Sequence, residues 1–196
     1  MLRGIQKFNK ELPRFGIMKD TFTDEEIGQI TFLERVLNFD VGSIGDDVRA
    51  EINMEYRNSK VGWIPEDDNT AWIYHRIAAL AGQANADLFL YNADTLSNLQ
   101  FTVYSLGEHY DWHVDCFAGY VSNQRKISGT LMLSDPSDYE GGDFQIVKYG
   151  NVQSPEEFKP QKGDLIWFDS SMPHRVTPVT GGVRKSLVFW ISGDWG

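Results

Sequence analysis

From Asn98 onward the chain is written in short runs of β-branched and aromatic residues, each closed by Gly, Pro, Ser or Asp. The runs cover residues 99–105, 109–116, 127–133, 143–147, 164–168, 175–178 and 186–191. Turn signals such as Ser134-Asp135-Pro136, Gly141-Gly142 and Thr180-Gly181-Gly182 punctuate them. Many short strands at this spacing predict a β-sandwich or barrel.

The first half reads differently. Thr23-Asp24-Glu25-Glu26 is a capping box, and Ile27, Ile30, Leu33, Val36 and Leu37 follow on one helical face. A second helical pattern starts at Asn69 or Thr70 and aligns Ile73, Ile77, Leu80, Ala81 and Ala84. Strand-like islands lie at residues 50–56 and 61–64, before a Pro65–Asn69 turn. The expected fold is α+β and mainly β. One domain spans residues 1–196, with helical support and short strands over 1–97 and the β core over 98–196.

Composition narrows the function. Six Trp, eight Tyr and twelve Phe within 41% hydrophobic residues supply a core. A net charge of −10 repels phosphate backbones, so no nucleic-acid partner is expected. The one cysteine, Cys116, excludes an intramolecular disulfide and a Cys-rich zinc module. With no stretch of 18 apolar residues and no apolar leader, no membrane association is expected, and a cytoplasmic location is.

Only four histidines are available: His75, His109, His113 and His174. The segment from Tyr104 to Asp115 holds two His-x-Asp triplets, His109-Tyr110-Asp111 and His113-Val114-Asp115. Residues two apart on a strand face the same side, so each triplet can converge on one ion. His174 supplies a second imidazole. Two histidines and a carboxylate form the facial triad of non-haem Fe(II) oxygenases, which leaves one octahedral face open. Parity alone does not choose between the triplets, because 109, 111, 113 and 115 are expected on one side. Arg184 follows His174 by ten residues. A guanidinium projecting into a barrel calls for an anion, and a dicarboxylate suits its bidentate geometry.

The series Tyr104, Gly107, Tyr110, His113-x-Asp115, Arg125, Gly141-Gly142, Gly163-Asp164-Leu165, Phe168, His174-x-Val176-x-Pro178, Arg184-x-Ser186 and Trp190 resembles the Fe(II)/2-oxoglutarate-dependent dioxygenases of the prolyl-hydroxylase type. The match runs over roughly residues 98–192. The first half is similar more loosely, through its two helices and Arg57-Asn58-Ser59. The resemblance implies a double-stranded β-helix, or jelly roll, for the β core. It implies His113, Asp115 and His174 as iron ligands. A Tyr three residues before the ligand histidine fits His113, not His109. Arg184 would hold the distal carboxylate of 2-oxoglutarate, with Tyr104 and Ser186 assisting. A cosubstrate-binding Tyr found in the third strand of animal relatives is replaced here by the Thr130-Leu131-Met132 stretch. The implied cofactors are Fe(II), 2-oxoglutarate as cosubstrate and O₂, with ascorbate as an optional reductant.

The reaction this implies is hydroxylation of a C–H bond, foremost on a prolyl residue of a peptide or protein. Alternatives are a free amino acid or other small metabolite as substrate, or a cupin-like metal-binding module without turnover. For substrate contact the resemblance points to Arg125. Tyr110, Trp112 and Trp63 offer an apolar wall against a proline ring. Loops at residues 117–124 and 61–69 are candidates to grip a peptide.

Overall fold

The computed structural model describes residues 15–44, 51–116, 124–147 and 155–193. Along the chain come β1 (Phe15–Met18), α1 (Asp24–Phe32), β2 (Phe39–Val41), β3 (Arg57–Asn58), β4 (Lys60–Ile64), α2 (Ala71–Ala84) and β5 (Thr95–Leu96). Then follow β6 (Leu99–Tyr104), β7 (His109–His113), β8 (Arg125–Met132), β9 (Tyr139–Gly141), β10 (Phe144–Ile146) and β11 (Glu156–Phe158). The last four are β12 (Leu165–Asp169), β13 (His174–Val176), β14 (Val179–Gly182) and β15 (Arg184–Ser192).

The strands form a larger sheet in the order β1-β12-β8-β15-β6-β4-β2, with β5 added on β15, and a smaller sheet in the order β11-β10-β13-β7-β3. Every recorded pairing is antiparallel. The fold is the expected mainly β α+β class, a double-stranded β-helix with helices on its outer face.

Period-two alternation in the central strands of the larger sheet separates two environments. Leu99, Phe101 and Val103 of β6, Ile127 and Leu131 of β8, and Leu187, Phe189 and Ile191 of β15 join one apolar core. Ile27, Ile30, Ile73, Ile77, Ala81 and Ala84 of the two helices close that core from outside. The intervening residues, including Gln100, Tyr104, Thr130, Arg184, Ser186 and Trp190, face the space between the sheets and line its cavity. One face of the sheet is therefore scaffold. The other is polar at one end, and buried polar groups need partners.

Helix α1 starts as its sequence dictates. The Thr23 hydroxyl accepts from the Glu26 N–H at 3.2 Å, and the Glu26 carboxylate accepts from the Thr23 N–H at 2.8 Å. Helix α2 begins after Thr70, whose hydroxyl donates to the Pro65 carbonyl. The island at 50–56 is not a strand over its described part. Glu51 makes only an isolated bridge to Ile44, and residues 54–56 turn. Asn53 explains it: its side chain accepts from the Glu55 N–H at 3.2 Å and its carbonyl from the Tyr56 N–H at 3.0 Å, turn chemistry that competes with pairing. Most of the loop at residues 117–124 lies outside the described residues. Among them, no helix is long and apolar enough to cross a membrane.

Candidate metal centre and its cavity

His113 ends β7 and His174 begins β13, and the two pair directly in the smaller sheet. Asp115 follows two residues after His113, where its N–H donates to the Ser170 carbonyl at 2.9 Å. One ligand atom from each of His113, Asp115 and His174 lies within 4.8 Å of the others. The Nε2 of His113 is 3.7 Å from Asp115 Oδ1, and that of His174 is 3.6 Å from Oδ2.

Tautomers follow from the hydrogen bonds. Nδ1 of His113 lies 2.7 Å from the Asp111 carbonyl, and Nδ1 of His174 lies 2.9 Å from the Met172 carbonyl. A carbonyl can only accept, so each Nδ1 carries the proton and each Nε2 turns a lone pair to the centre. Burial, then the neighbouring His174, pushes the His113 pKa well down and keeps it neutral. Burial alone would raise Asp115, but His174, His113, Arg125 and the Ser128 hydroxyl outweigh it and hold the carboxyl at about 2. Ser128 donates to Asp115 Oδ2 at 2.7 Å and is itself 2.9 Å from Ser170 Oγ. Two lone pairs and a carboxylate, oriented by outer hydrogen bonds, suit a divalent transition metal.

The rival triplet points elsewhere. His174 pairs with His113 and Val176 with Tyr110, so between these pairs one residue of β13, Arg175, faces two of β7. This is a β-bulge at Asp111 and Trp112, where the Trp112 N–H donates to its neighbour's carboxylate at 2.7 Å. The extra residue reverses parity. Tyr110 and His113 share the inner face, with rings stacked at 3.5 Å and 12°. His109 instead lies 3.0 Å from the Glu55 carbonyl, and Asp111 is 3.8 Å from Arg175. The expectation that 109, 111, 113 and 115 face one side is thereby corrected.

The cluster opens on a cavity of about 370 Å³. Phe144, Phe168 and Val176 form its apolar wall beside His174. Arg184 enters from the start of β15 and is 1% exposed. It donates to Ser186 Oγ at 3.2 Å and to Met132 Sδ at 3.4 Å, while its Nε has no partner. Among the described residues no carboxylate pairs with it. Met132 belongs to the stretch that replaces the third-strand tyrosine. Gly142, at φ 61°, leaves room for the arginine: a Cβ there would stand 3.1 Å from Arg184 Cδ. Tyr104 is buried with its ring 5.5 Å from the Arg184 Cζ, and burial raises its pKa, keeping the phenol protonated.

Of the expected substrate contacts, Tyr110, Arg125 and Trp63 line the cavity. Arg125 lies 3.8 Å over the Trp190 ring, and Trp63 is 51% exposed. Trp112 does not line it and lies under the Arg175 guanidinium at 4.7 Å. Residues that sequence reasoning gave no role are Ser128, Gln100 and Arg57. The serine had no local signal, because its partner Asp115 lies 13 residues away in the sequence, beyond the end of β7.

The fold and this cluster define a class: double-stranded β-helices whose smaller sheet carries two histidines and a carboxylate facing a buried arginine. Residues 99–192 match the family model of the 2OG-Fe(II) oxygenase superfamily. A PKHD-type hydroxylase of Teredinibacter turnerae is 40% identical over 96 residues, which are 47% of this chain and 41% of that protein. One from Stenotrophomonas maltophilia is 40% identical over 96 residues with the same coverage, 47% and 41%. The chain thus spans about two fifths of the length of these curated relatives. A prolyl-4-hydroxylase structure from Pseudomonas putida aligns with a TM-score of 0.73 at 19% identity, over 93% of this chain and 94% of that one. A Trichoplax adhaerens prolyl hydroxylase, solved with a hypoxia inducible factor peptide fragment, aligns with a TM-score of 0.73 at 20% identity, over 91% and 83%. Over residues 99–192 the chain is similar to the 2OG-Fe(II) oxygenases, and it is prolyl-hydroxylase-like in fold.

Proposed function

We propose that the protein is an Fe(II)- and 2-oxoglutarate-dependent hydroxylase acting on a prolyl residue of a peptide or protein. One observation carries the chemistry: the Arg184 guanidinium, buried without a carboxylate partner among the described residues, shares a cavity with the His113–Asp115–His174 cluster. A bound dicarboxylate supplies the missing anion.

In this reading Nε2 of His113, Nε2 of His174 and a carboxylate oxygen of Asp115 hold the metal. Arg184 and Ser186 hold the distal carboxylate of 2-oxoglutarate, and the protonated Tyr104 phenol donates to the cosubstrate. When bound, iron and cosubstrate supply the oxidising power for C–H hydroxylation, with oxidative decarboxylation to succinate. The chain's own groups position and shield. Ser128 and Ser170 fix the Asp115 carboxylate, and the two Nδ1–H bonds fix the imidazole planes. Phe144, Phe168 and Val176 keep bulk water from the His174 side. Tyr110 and Trp190 line the cavity, each ring lying under a guanidinium, Arg57 and Arg125 in turn. The prolyl assignment is supported by the names of the structural neighbours.

The test is anaerobic. Adding 2-oxoglutarate to the Fe(II) protein should produce a weak visible charge-transfer band from bidentate chelation. Under air, a prolyl peptide library should then release succinate stoichiometrically with hydroxylated product. Absence of the band would refute the cosubstrate reading. A band without peptide-dependent succinate would refute the substrate.

A further inference from the structure

The cavity holds a second buried guanidinium. Arg57 lies on β3 directly opposite Tyr110 of β7 and is 8% exposed. Its Nε donates to Ser59 Oγ at 3.1 Å, and one terminal nitrogen donates to the Ser43 carbonyl at 2.7 Å. Its Cζ lies 4.5 Å from the Tyr110 ring centroid. The chain closes over it at Gly42, where a Cβ would stand 2.6 Å from the arginine Nε. The guanidinium is therefore fixed in place, and every one of these partners is neutral. Its second terminal nitrogen has no hydrogen-bond partner, and no carboxylate pairs with it, among the described residues. A hydroxyl, a carbonyl and a phenol face do not repay the burial of a cation.

The local build repeats that of Arg184. Each arginine is followed two residues later by a serine whose hydroxyl accepts from it, at 3.1 Å for Arg57–Ser59 and 3.2 Å for Arg184–Ser186. Both line the same cavity. In the reading above, on which this inference rests, Fe(II) and the 2-oxoglutarate dianion offset each other, as do Asp115 and Arg184. The Arg57 charge is left over. Arg125 on the cavity wall adds to the positive field and does not offset it.

We propose that the substrate carries a carboxylate and that Arg57 receives it. Tyr110 lies between Arg57 and His113, stacked on each, so an anion at Arg57 sits one aromatic ring away from the metal cluster. An anchor at that range orients the substrate carbon nearest the carboxylate. The carboxylate comes either from an α-carboxylate or from an acidic side chain beside the reacting residue.

The experiment uses the full chain loaded with Mn(II), which blocks turnover, and saturating 2-oxoglutarate. Two matched pairs of probes are titrated by calorimetry. N-acetyl-L-proline against N-acetyl-L-prolinamide tests the α-carboxylate. Acetyl-Glu-Pro-Glu amide against acetyl-Gln-Pro-Gln amide tests the side chain. In at least one pair the acid should bind about tenfold tighter or more. Arg57→Met should erase the preference and Arg57→Lys should keep part of it, with 2-oxoglutarate affinity unchanged in both. No acid preference in either pair overturns the proposal, and that comparison needs only the wild-type chain. A preference that survives Arg57→Met overturns it too. So does a parallel loss of 2-oxoglutarate affinity, which would assign Arg57 to the cosubstrate. Failure of the wild-type Mn(II) protein to bind 2-oxoglutarate would strike the proposed function instead, and the acid–amide comparison would still be read on the metal-loaded chain.

Discussion

Arg184→Met separates binding from stability in a way that few substitutions do. In the free protein the guanidinium is 1% exposed, leaves Nε unpartnered, and meets neutral groups, the Ser186 and Tyr139 hydroxyls and the Met132 thioether. Methionine fills most of the same volume and carries no charge. Replacing a buried ion by a packed apolar side chain is neutral to stabilising by about 1–4 kcal/mol. The cavity is polar enough to admit water beside Arg184, so the lower part of that range applies, about 1–2 kcal/mol. For a chain of this size, that raises the melting temperature by roughly 2–8 °C. The ligand response should move in the opposite direction. With Mn(II) present, 2-oxoglutarate at a hundredfold its Kd stabilises the wild type by about 2.7 kcal/mol, and the variant should gain almost nothing. Urea unfolding of both proteins, with and without 2-oxoglutarate, reads the two effects together. A metal-free Arg184→Met protein destabilised by more than about 1 kcal/mol would refute the reasoning. Such a loss would mean that the arginine is satisfied within the protein and needs no ligand.

Three other perturbations have defined outcomes. Metal titration should show that His113→Ala loses Mn(II) binding and His109→Ala retains it, while Ser128→Ala weakens it about 10–100-fold by releasing the Asp115 carboxylate. In the metal-free protein, His113 is held below its ordinary 6.5, so below that pH the unfolded chain takes up a proton that the folded one refuses. Its contribution is therefore flat above pH 6.5 and is lost progressively as the pH drops below it, as the difference between the wild type and His113→Gln in urea should show. Gly182→Ala places a Cβ 2.0 Å from the Asp138 carbonyl at φ 69° and should cost at least about 2 kcal/mol, read as a fall in melting temperature.

The longer elements were legible because their own residues decide them. The capping box fixes the start of α1, and the alternation in β6, β8 and β15 assigns each side chain to scaffold or cavity. The shortest strands were not legible. Arg57-Asn58 has no strand propensity, and it pairs because β7 presents an open edge at Tyr110 and His109. The same holds for β2, three residues laid on β4, and for β14, whose glycines follow the edge of β9. Pairing of that kind is a property of the partner's unfilled hydrogen bonds, and no window along the sequence contains it.

The site divides along the same line. Residue types and spacing sufficed to bring forward His113, Asp115, His174 and Arg184, because a metal cluster and a buried cation each demand particular chemistry. Strict alternation could not separate His113 from His109, since a bulge changes parity without changing composition. Asp111 before Trp112 was the one local hint: an Asp side chain can take the N–H that the bulge withdraws from the ladder, and here it does. Arg57 had a hint as well. Arg-x-Ser occurs twice in the sequence, at Arg57-Asn58-Ser59 and Arg184-Lys185-Ser186. On an extended strand that spacing lets the serine hydroxyl hold its own arginine on one face, which orients a guanidinium without neutralising it. A positive charge fixed in this way and buried in so acidic a chain acts as a receptor for an anion. The Arg57 triplet therefore bears on the substrate as directly as the Arg184 triplet bears on the cosubstrate.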